Sequence, residues 1–445
     1  MSKIKIGFVT VASVYEVGVD EAEKLMDMAI ENLQNKGLAV IAAKPVLTNH
    51  SNLNAIIKQL KNEDICLLVL MNGTWTADSL QVDLIKSINK HTLLWALPYP
   101  ATYSLASVIH VGSILSELGI PFSYVYGTPD DEQAINKVIQ TARIAKLAEL
   151  WKHMKVGKIG RRFTWRTAGP TDITYDELDL KLSQGITAVH IDIDELFLLV
   201  KNVTDETAKG FINHLKQQGK LGVIEVEEKI LIDAVKVYFA VKELMKKYDL
   251  DALTIECYPR YSGLDNLASA LLADEGIVSL CEGDLSHAAL TLILQRLTNK
   301  PAALLEPVKI LDSENALILR HEGSGAPSLS ENISEVHLKP AGNGKGIIIF
   351  SSIKPTKVTL ATIFGKRENY KMCILTGQTL KLSEADIDRY GGGLVTKLKV
   401  STNVRKLVDK LMSLGVDHHM ILIFGNVTNE LTEFCKMVKI EPMLL

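Results

Sequence analysis

Short apolar runs alternate along the first 150 residues with segments whose apolar positions recur every three to four residues. The runs at 4–10, 38–43, 65–71 and 92–97 have the length and composition of buried strands. Between them, Leu25, Met26, Ala29, Ile30 and Leu33 fall on one face of a helix that Asp20 can cap and Gly37 ends. A polar helix is predicted around 53–60, and another after the loop Asn72-Gly73-Thr74-Trp75. Strand and helix alternating in this way predict parallel strands joined by covering helices. A long helix over 130–154 then leads to Gly157-Lys158-Ile159-Gly160, which opens a second α/β region with a strand at 185–193. After Gly323-Ser324-Gly325-Ala326-Pro327 the pattern turns to strands at 346–350, 358–364, 370–376 and 394–400, separated by polar turns. A helix at 402–414 and a strand–helix–strand run through 420–424, 430–438 and 440–444 close the chain. The expected fold is therefore α/β: two Rossmann-like doubly wound domains, 1–155 and 156–330, followed by a small antiparallel β-barrel-like domain, 331–445.

Composition narrows the function classes. The 445 residues include 49 Lys and Arg against 52 Asp and Glu, a net charge of −3 spread along the chain. That balance leaves no electrostatic footprint for nucleic acid. No apolar run reaches the ~18 uncharged residues a membrane span needs, and Met1-Ser2-Lys3-Ile4-Lys5 reads as the start of a strand rather than a secretion signal. A cytoplasmic protein with neither nucleic acid nor membrane as partner is expected. The five cysteines, Cys66, Cys257, Cys281, Cys373 and Cys435, are odd in number and far apart. They read as small buried hydrophobes of a reducing compartment, not as a disulfide framework or zinc site.

Chemistry concentrates in the second half. In the segment 277–287, Ile277-Val278-Ser279-Leu280 precedes Cys281-Glu282-Gly283-Asp284, and a helix starts near Ser286. Acids at the carboxyl end of a strand are where α/β enzymes place reactive groups. In the alternative reading Asp284 caps the helix and Glu282 is solvated. A second acid, Glu306, ends the apolar stretch Pro301-Ala302-Ala303-Leu304-Leu305. A right-handed β-α-β return through the helix 284–298 would set the strand ending at Glu306 beside the one ending at Glu282. Two carboxylates facing one another repel unless a cation neutralises them, and oxygen ligands with one or two imidazoles suit Mn²⁺ or Mg²⁺. His321 follows the strand Ala316-Leu317-Ile318-Leu319, and His418-His419 precedes the strand 420–424.

These residues resemble the L-fucose isomerase and L-arabinose isomerase superfamily of metal-dependent aldose–ketose isomerases, along nearly the whole chain. Cys281-Glu282-Gly283-Asp284 resembles the E-x-D turn carrying that family's first carboxylate ligand, and Glu306 resembles the second. The 24-residue step between them is similar to the fucose-type interval, although Glu stands where Asp is usual there. His321 resembles an extra histidine of the arabinose-type enzymes, and Gly415-Val416-Asp417-His418-His419 resembles their late G-x-x-H-H turn.

The resemblance implies Glu282, Glu306, His321 and His419 as ligands of Mn²⁺, with Mg²⁺ or Co²⁺ as substitutes. It implies Glu282 and Glu306 as the acid–base pair acting through a cis-enediol. Asp284 stays open between ligand and orienting group. The substrate would be a sugar; an anionic one, sulfonated or phosphorylated, follows if the basic segment Lys158, Arg161, Arg162 and Arg166 faces the site rather than solvent. Trp75 is the candidate ring for stacking on a sugar, or else an anchor for its own loop. A homo-oligomer, trimer, tetramer or hexamer, is implied as well. Isomerisation competes with epimerisation on the same scaffold and with non-catalytic sugar binding.

Overall fold

A computed structural model describes residues 3–160, 177–257, 261–342 and 344–445. The chain divides into two compact units, Met1–Leu150 with Lys436–Val438, and Trp151–Cys435 with Lys439–Leu445.

The first unit holds β1 (Lys5–Val11), α1 (Ala22–Asn35), β2 (Ala39–Ala42), α2 (His50–Lys61), β3 (Leu67–Asn72), α3 (Asp78–Ile88), β4 (His91–Ala96), α4 (Ser104–Glu117) and β5 (Phe122–Tyr126). The strands form one parallel sheet in the order β2-β1-β3-β4-β5. Every residue of β3 is buried, as a strand covered on both faces requires. On α1, Met26, Ala29 and Leu33 are buried at helical spacing. Asp20 does not cap this helix: it sits in a 3₁₀ turn, Val19–Glu21, so the capping position moves on to Glu21.

Helix α5 (Glu132–His153) carries the chain across the division at 150/151. In the second unit, β6 (Lys155–Ile159), α6 (Glu177–Gln184), β7 (Thr187–Ile191), α7 (Ile193–Asn202), α8 (Asp205–Gln217), β8 (Val223–Ile224), α9 (Glu228–Lys247), β9 (Ala252–Ile255), α10 (Asn266–Asp274), β10 (Ser279–Leu280) and α11 (Leu285–Thr298) come first. A parallel sheet in the order β10-β9-β6-β7 ends with Glu256 and Glu282 just past neighbouring strands. There follow β11 (Ala303–Leu311), β12 (Ala316–His321), β13 (His337–Pro340), β14 (Ile347–Ser352), β15 (Lys357–Phe364), β16 (Lys371–Leu380), α12 (Glu384–Arg389), β17 (Leu394–Lys399), α13 (Val404–Leu414), β18 (Met420–Phe424), α14 (Thr428–Val438) and β19 (Glu441–Leu444).

Ten strands of this unit make a mixed sheet, and six of them, β16-β15-β18-β11-β12-β17, close into an antiparallel ring through a β16–β17 pairing. Its interior packs Leu305, Leu317, Leu319, Leu360, Leu375, Leu398 and Leu422. Such closure removes sheet edges. The ring begins at Ala303, inside the stretch read from the sequence as the second α/β region, and β8 joins the same ten-stranded sheet. The expected β-α-β return is overturned: β11 pairs antiparallel with β12 and β18, not beside β10. An apolar run such as Ala303-Leu304-Leu305 reads alike in either kind of sheet, so its partners are invisible in the local pattern.

Candidate active site

Antiparallel register assembles one side of the site. Leu305 on β11 pairs with Met420 on β18, and Glu306 pairs with Arg320 on β12. Continuing each register by one residue sets Glu306 beside His419 and brings His321, the last residue of β12, to the same end of the barrel. Arg320 turns away, its guanidinium donating to the carbonyls of Gly391 and Gly392. The other side comes from the parallel sheet. Past β10 the chain turns through Glu282 and Gly283 at φ of +66° and +68°, and the Gly283 N–H donates to the Ile255 carbonyl at 3.1 Å. A left-handed conformation is uncommon for a side chain such as glutamate, and strain of this kind clusters where geometry is held for a purpose.

The ligand-type atoms of Glu282, Glu306, His321 and His419 all lie within 4.8 Å of one another. His419 Nε2 is 3.2 Å from Glu282 Oε2 and 3.5 Å from Glu306 Oε1, and His321 Nε2 is 3.5 Å from Glu282 Oε1. His419 is fully buried and His321 nearly so, whereas the Glu306 side chain keeps 29% of its surface exposed. Asp284 caps α11: its Oδ1 accepts from the His287 N–H and the Ser286 hydroxyl, both at 3.0 Å. Its Oδ2 lies 2.9 Å from His419 Nδ1 and 2.6 Å from His287 Nδ1. Both open readings of this turn thus meet here, since Asp284 caps the helix while Glu282 is buried rather than solvated.

Electrostatics favour a cation. Among the described residues, Glu282, Glu306 and Asp284 pair only with imidazoles, never with Lys or Arg. Burial works to raise the Glu282 carboxyl, yet the neighbouring imidazoles of His321 and His419 hold it far below the usual carboxylate range. Burial also opposes ionisation of Asp284, and His287 and His419 outweigh it. Glu306 is lowered likewise, with His419 countering burial. Burial would lower His419, but its bonds to Asp284, Glu282 and Glu306 drive it well above the ordinary histidine value.

A divalent ion fits the donor set. Both ring nitrogens of His321 are buried without a hydrogen-bond partner, and two carboxylates with two imidazoles are ligands of the type Mn²⁺, Mg²⁺ or Co²⁺ accepts. An ion and a proton would compete for His419 Nε2. Because the raised His419 stays protonated above its ordinary pKa of about 6.5, Mn²⁺ affinity is expected to strengthen as pH rises through that region, with one proton released per ion. Calorimetry in buffers of different ionisation enthalpy checks this; equal heats would contradict it.

Trp75 belongs to the first unit, where one ring face stacks on His110 at a centroid distance of 5.5 Å. Lys158 is buried, with Nζ 3.6 Å from Glu177 Oε1, so it is not on a solvated face. Arg161, Arg162 and Arg166 lie outside the described residues. Sequence reasoning missed His287 and Thr362 as parts of the site's surroundings; the D-x-x-H spacing at the start of α11 carried a signal for the first, and nothing local marked the second. His418, beside Glu306 with Nε2 at 3.8 Å from Oε1 and Nδ1 at 3.1 Å from Asp417, is half-exposed.

No family model matches the chain. Similarity to sulfoquinovose isomerases runs along nearly all of it. That of Priestia megaterium is 23% identical over 450 residues, 95% of each chain, and that of a Clostridium species is 22% identical over 459 residues, 99% of each. These similarities support an aldose–ketose isomerase. The Alkalicoccus urumqiensis sulfoquinovose isomerase is 24% identical over 325 residues, 71% of this chain and 70% of its own. An isomerase of this kind is an intramolecular oxidoreductase, which sets aside a non-catalytic sugar-binding role. No helix among the described residues is long and apolar enough to cross a membrane.

Proposed function

We propose that this chain converts an anionic aldose carrying a sulfonate, sulfoquinovose or a close analogue, into the corresponding ketose. The observation carrying this reading is the convergence of two glutamates with two buried histidines in a chain similar over nearly its full length to sulfoquinovose isomerases. The relatives favour the anionic substrate over a neutral fucose- or arabinose-like one.

Glu282, Glu306, His321 and His419 would hold a divalent ion, Mn²⁺ by preference. Such an ion, when bound, polarises a carbonyl and offsets negative charge developing on oxygen. The chain's carboxylates carry the proton transfers. One takes the proton from C2 while the carbonyl oxygen at C1 gains one, giving the cis-enediol; return of a proton to C1 and loss of one from the C2 hydroxyl yields the ketose. In this reading Glu306, the more exposed of the two, exchanges the proton with the sugar carbon, and Glu282, the more buried, serves the oxygens. Positioned groups of this type contribute about 10²–10⁴-fold each.

Sulfoquinovose, glucose and glucose 6-phosphate incubated with enzyme and Mn²⁺ in D₂O, followed by NMR, test the reading. Ketose formation from the sulfonated sugar is expected, with deuterium at C1 of the product to the extent that the transferred proton exchanges. Faster turnover of glucose would overturn the anionic assignment, and a C2 epimer without ketose would point to epimerisation.

A further inference from the structure

We infer that Asp284, braced by His287 and Thr362, is a positioning residue that fixes which nitrogen of His419 faces the ion. This rests on the divalent-ion reading above and extends it to residues outside the ligand set. His419 Nδ1 hydrogen-bonds Asp284 Oδ2 at 2.9 Å, and the His287 ring lies against the same oxygen, its Nδ1 at an ion-pair distance of 2.6 Å. One carboxylate oxygen is therefore bonded to His419 and in close contact with the His287 ring, while the other is tied to the first turn of α11 through Ser286 and the His287 N–H. The carboxylate cannot rotate without giving up bonds on both sides. His287 is held in turn, because its Nε2 is 2.9 Å from the Thr362 hydroxyl on β15 of the barrel. All of Asp284, His287 and His419 are buried, so water is a poor substitute for any of these partners.

The consequence for His419 is directional. Its Nδ1–H is committed to Asp284, which leaves Nε2 as the nitrogen presented to Glu282 and Glu306. Outer carboxylates that orient a histidine in this way typically govern metal affinity by about 10–100-fold. The chain Thr362–His287–Asp284–His419 thus runs from a barrel strand, through a helix start, to the centre of the site, and couples the two sheets of this unit to the ligand geometry.

Mn²⁺ binding to the whole protein, measured by electron paramagnetic resonance, tests the role. The expected result is that Asp284→Asn stays folded with a lowered melting temperature, since His419 loses a buried partner, and weakens binding by about 10–100-fold. Turnover of that variant should be restored in large part by raising Mn²⁺, while KM for the sugar stays near the wild-type value. Thr362→Val, which removes only the outermost brace, should weaken binding by a smaller factor, and it carries the test if Asp284→Asn does not fold. A folded Asp284→Asn binding Mn²⁺ within about twofold of the wild type would overturn the positioning role, and so would an unchanged Thr362→Val where only that variant folds. Absence of Mn²⁺ binding by the wild type would instead overturn the ion reading on which the inference stands.

Discussion

Glu306→Gln is expected to lower kcat by about 10²–10⁴-fold, the range lost when a positioned acid–base group is removed. The substitution is nearly isosteric, keeps an oxygen that can face an ion, and leaves His419, His321 and Glu282 in place. Glu306 is also the carboxylate with most access to a substrate, since 29% of its side chain remains exposed while the two histidines are buried. An amide cannot accept a proton from carbon at neutral pH, so chemistry should suffer far more than ion binding. Single-turnover rates alongside Mn²⁺ affinity separate the two: a large fall in rate with a modest change in affinity is expected. A variant with near-normal kcat would remove Glu306 from the proton transfers and leave it, at most, a ligand.

Much of the site was legible because its members sit at the ends of apolar runs. Glu282 follows Leu280 by two residues, Glu306 follows Leu305, His321 ends an apolar strand and His419 immediately precedes one. The end of an apolar run is where a polar side chain can leave the core, so position relative to a run is informative without any knowledge of pairing, even though the strand expected to end at Glu306 continues to Leu311. What could not be read is which strands meet. The sequence suggested that Glu306 reaches Glu282 along one parallel sheet, yet it arrives on a barrel strand held between β12 and β18. The prediction placed the two acids together for a wrong topological reason, because a local apolar pattern constrains burial and leaves partners free. The same limit hides Thr362, whose hydroxyl is one of many on alternating strands until β15 is set against α11. In the first unit the reading went further, since continuous apolar runs separated by amphipathic helices admit few arrangements other than a covered parallel sheet.

Glu282→Gly should separate the architecture of the turn from its chemistry more sharply than any other change. At φ +66° the glutamate pays a conformational cost of roughly 1–2 kcal/mol that glycine does not. Against that gain stands the loss of a buried partner for His419 and His321, the imidazoles that hold the carboxyl in its ionised form. The two effects oppose, so the ion-free variant is expected to melt within a few degrees of the ion-free wild type. Function should not survive: the substitution removes a ligand and an acid–base group together, and turnover should drop by at least about 10⁴-fold when two such contributions are lost. Melting with and without Mn²⁺ makes the distinction visible. The wild type should gain about 2.7 kcal/mol at an ion concentration one hundred times its dissociation constant, and Glu282→Gly should gain little at that same concentration. An ion-dependent rise equal to the wild type's would show that Glu282 does not hold the ion, and its strained backbone would then need another explanation.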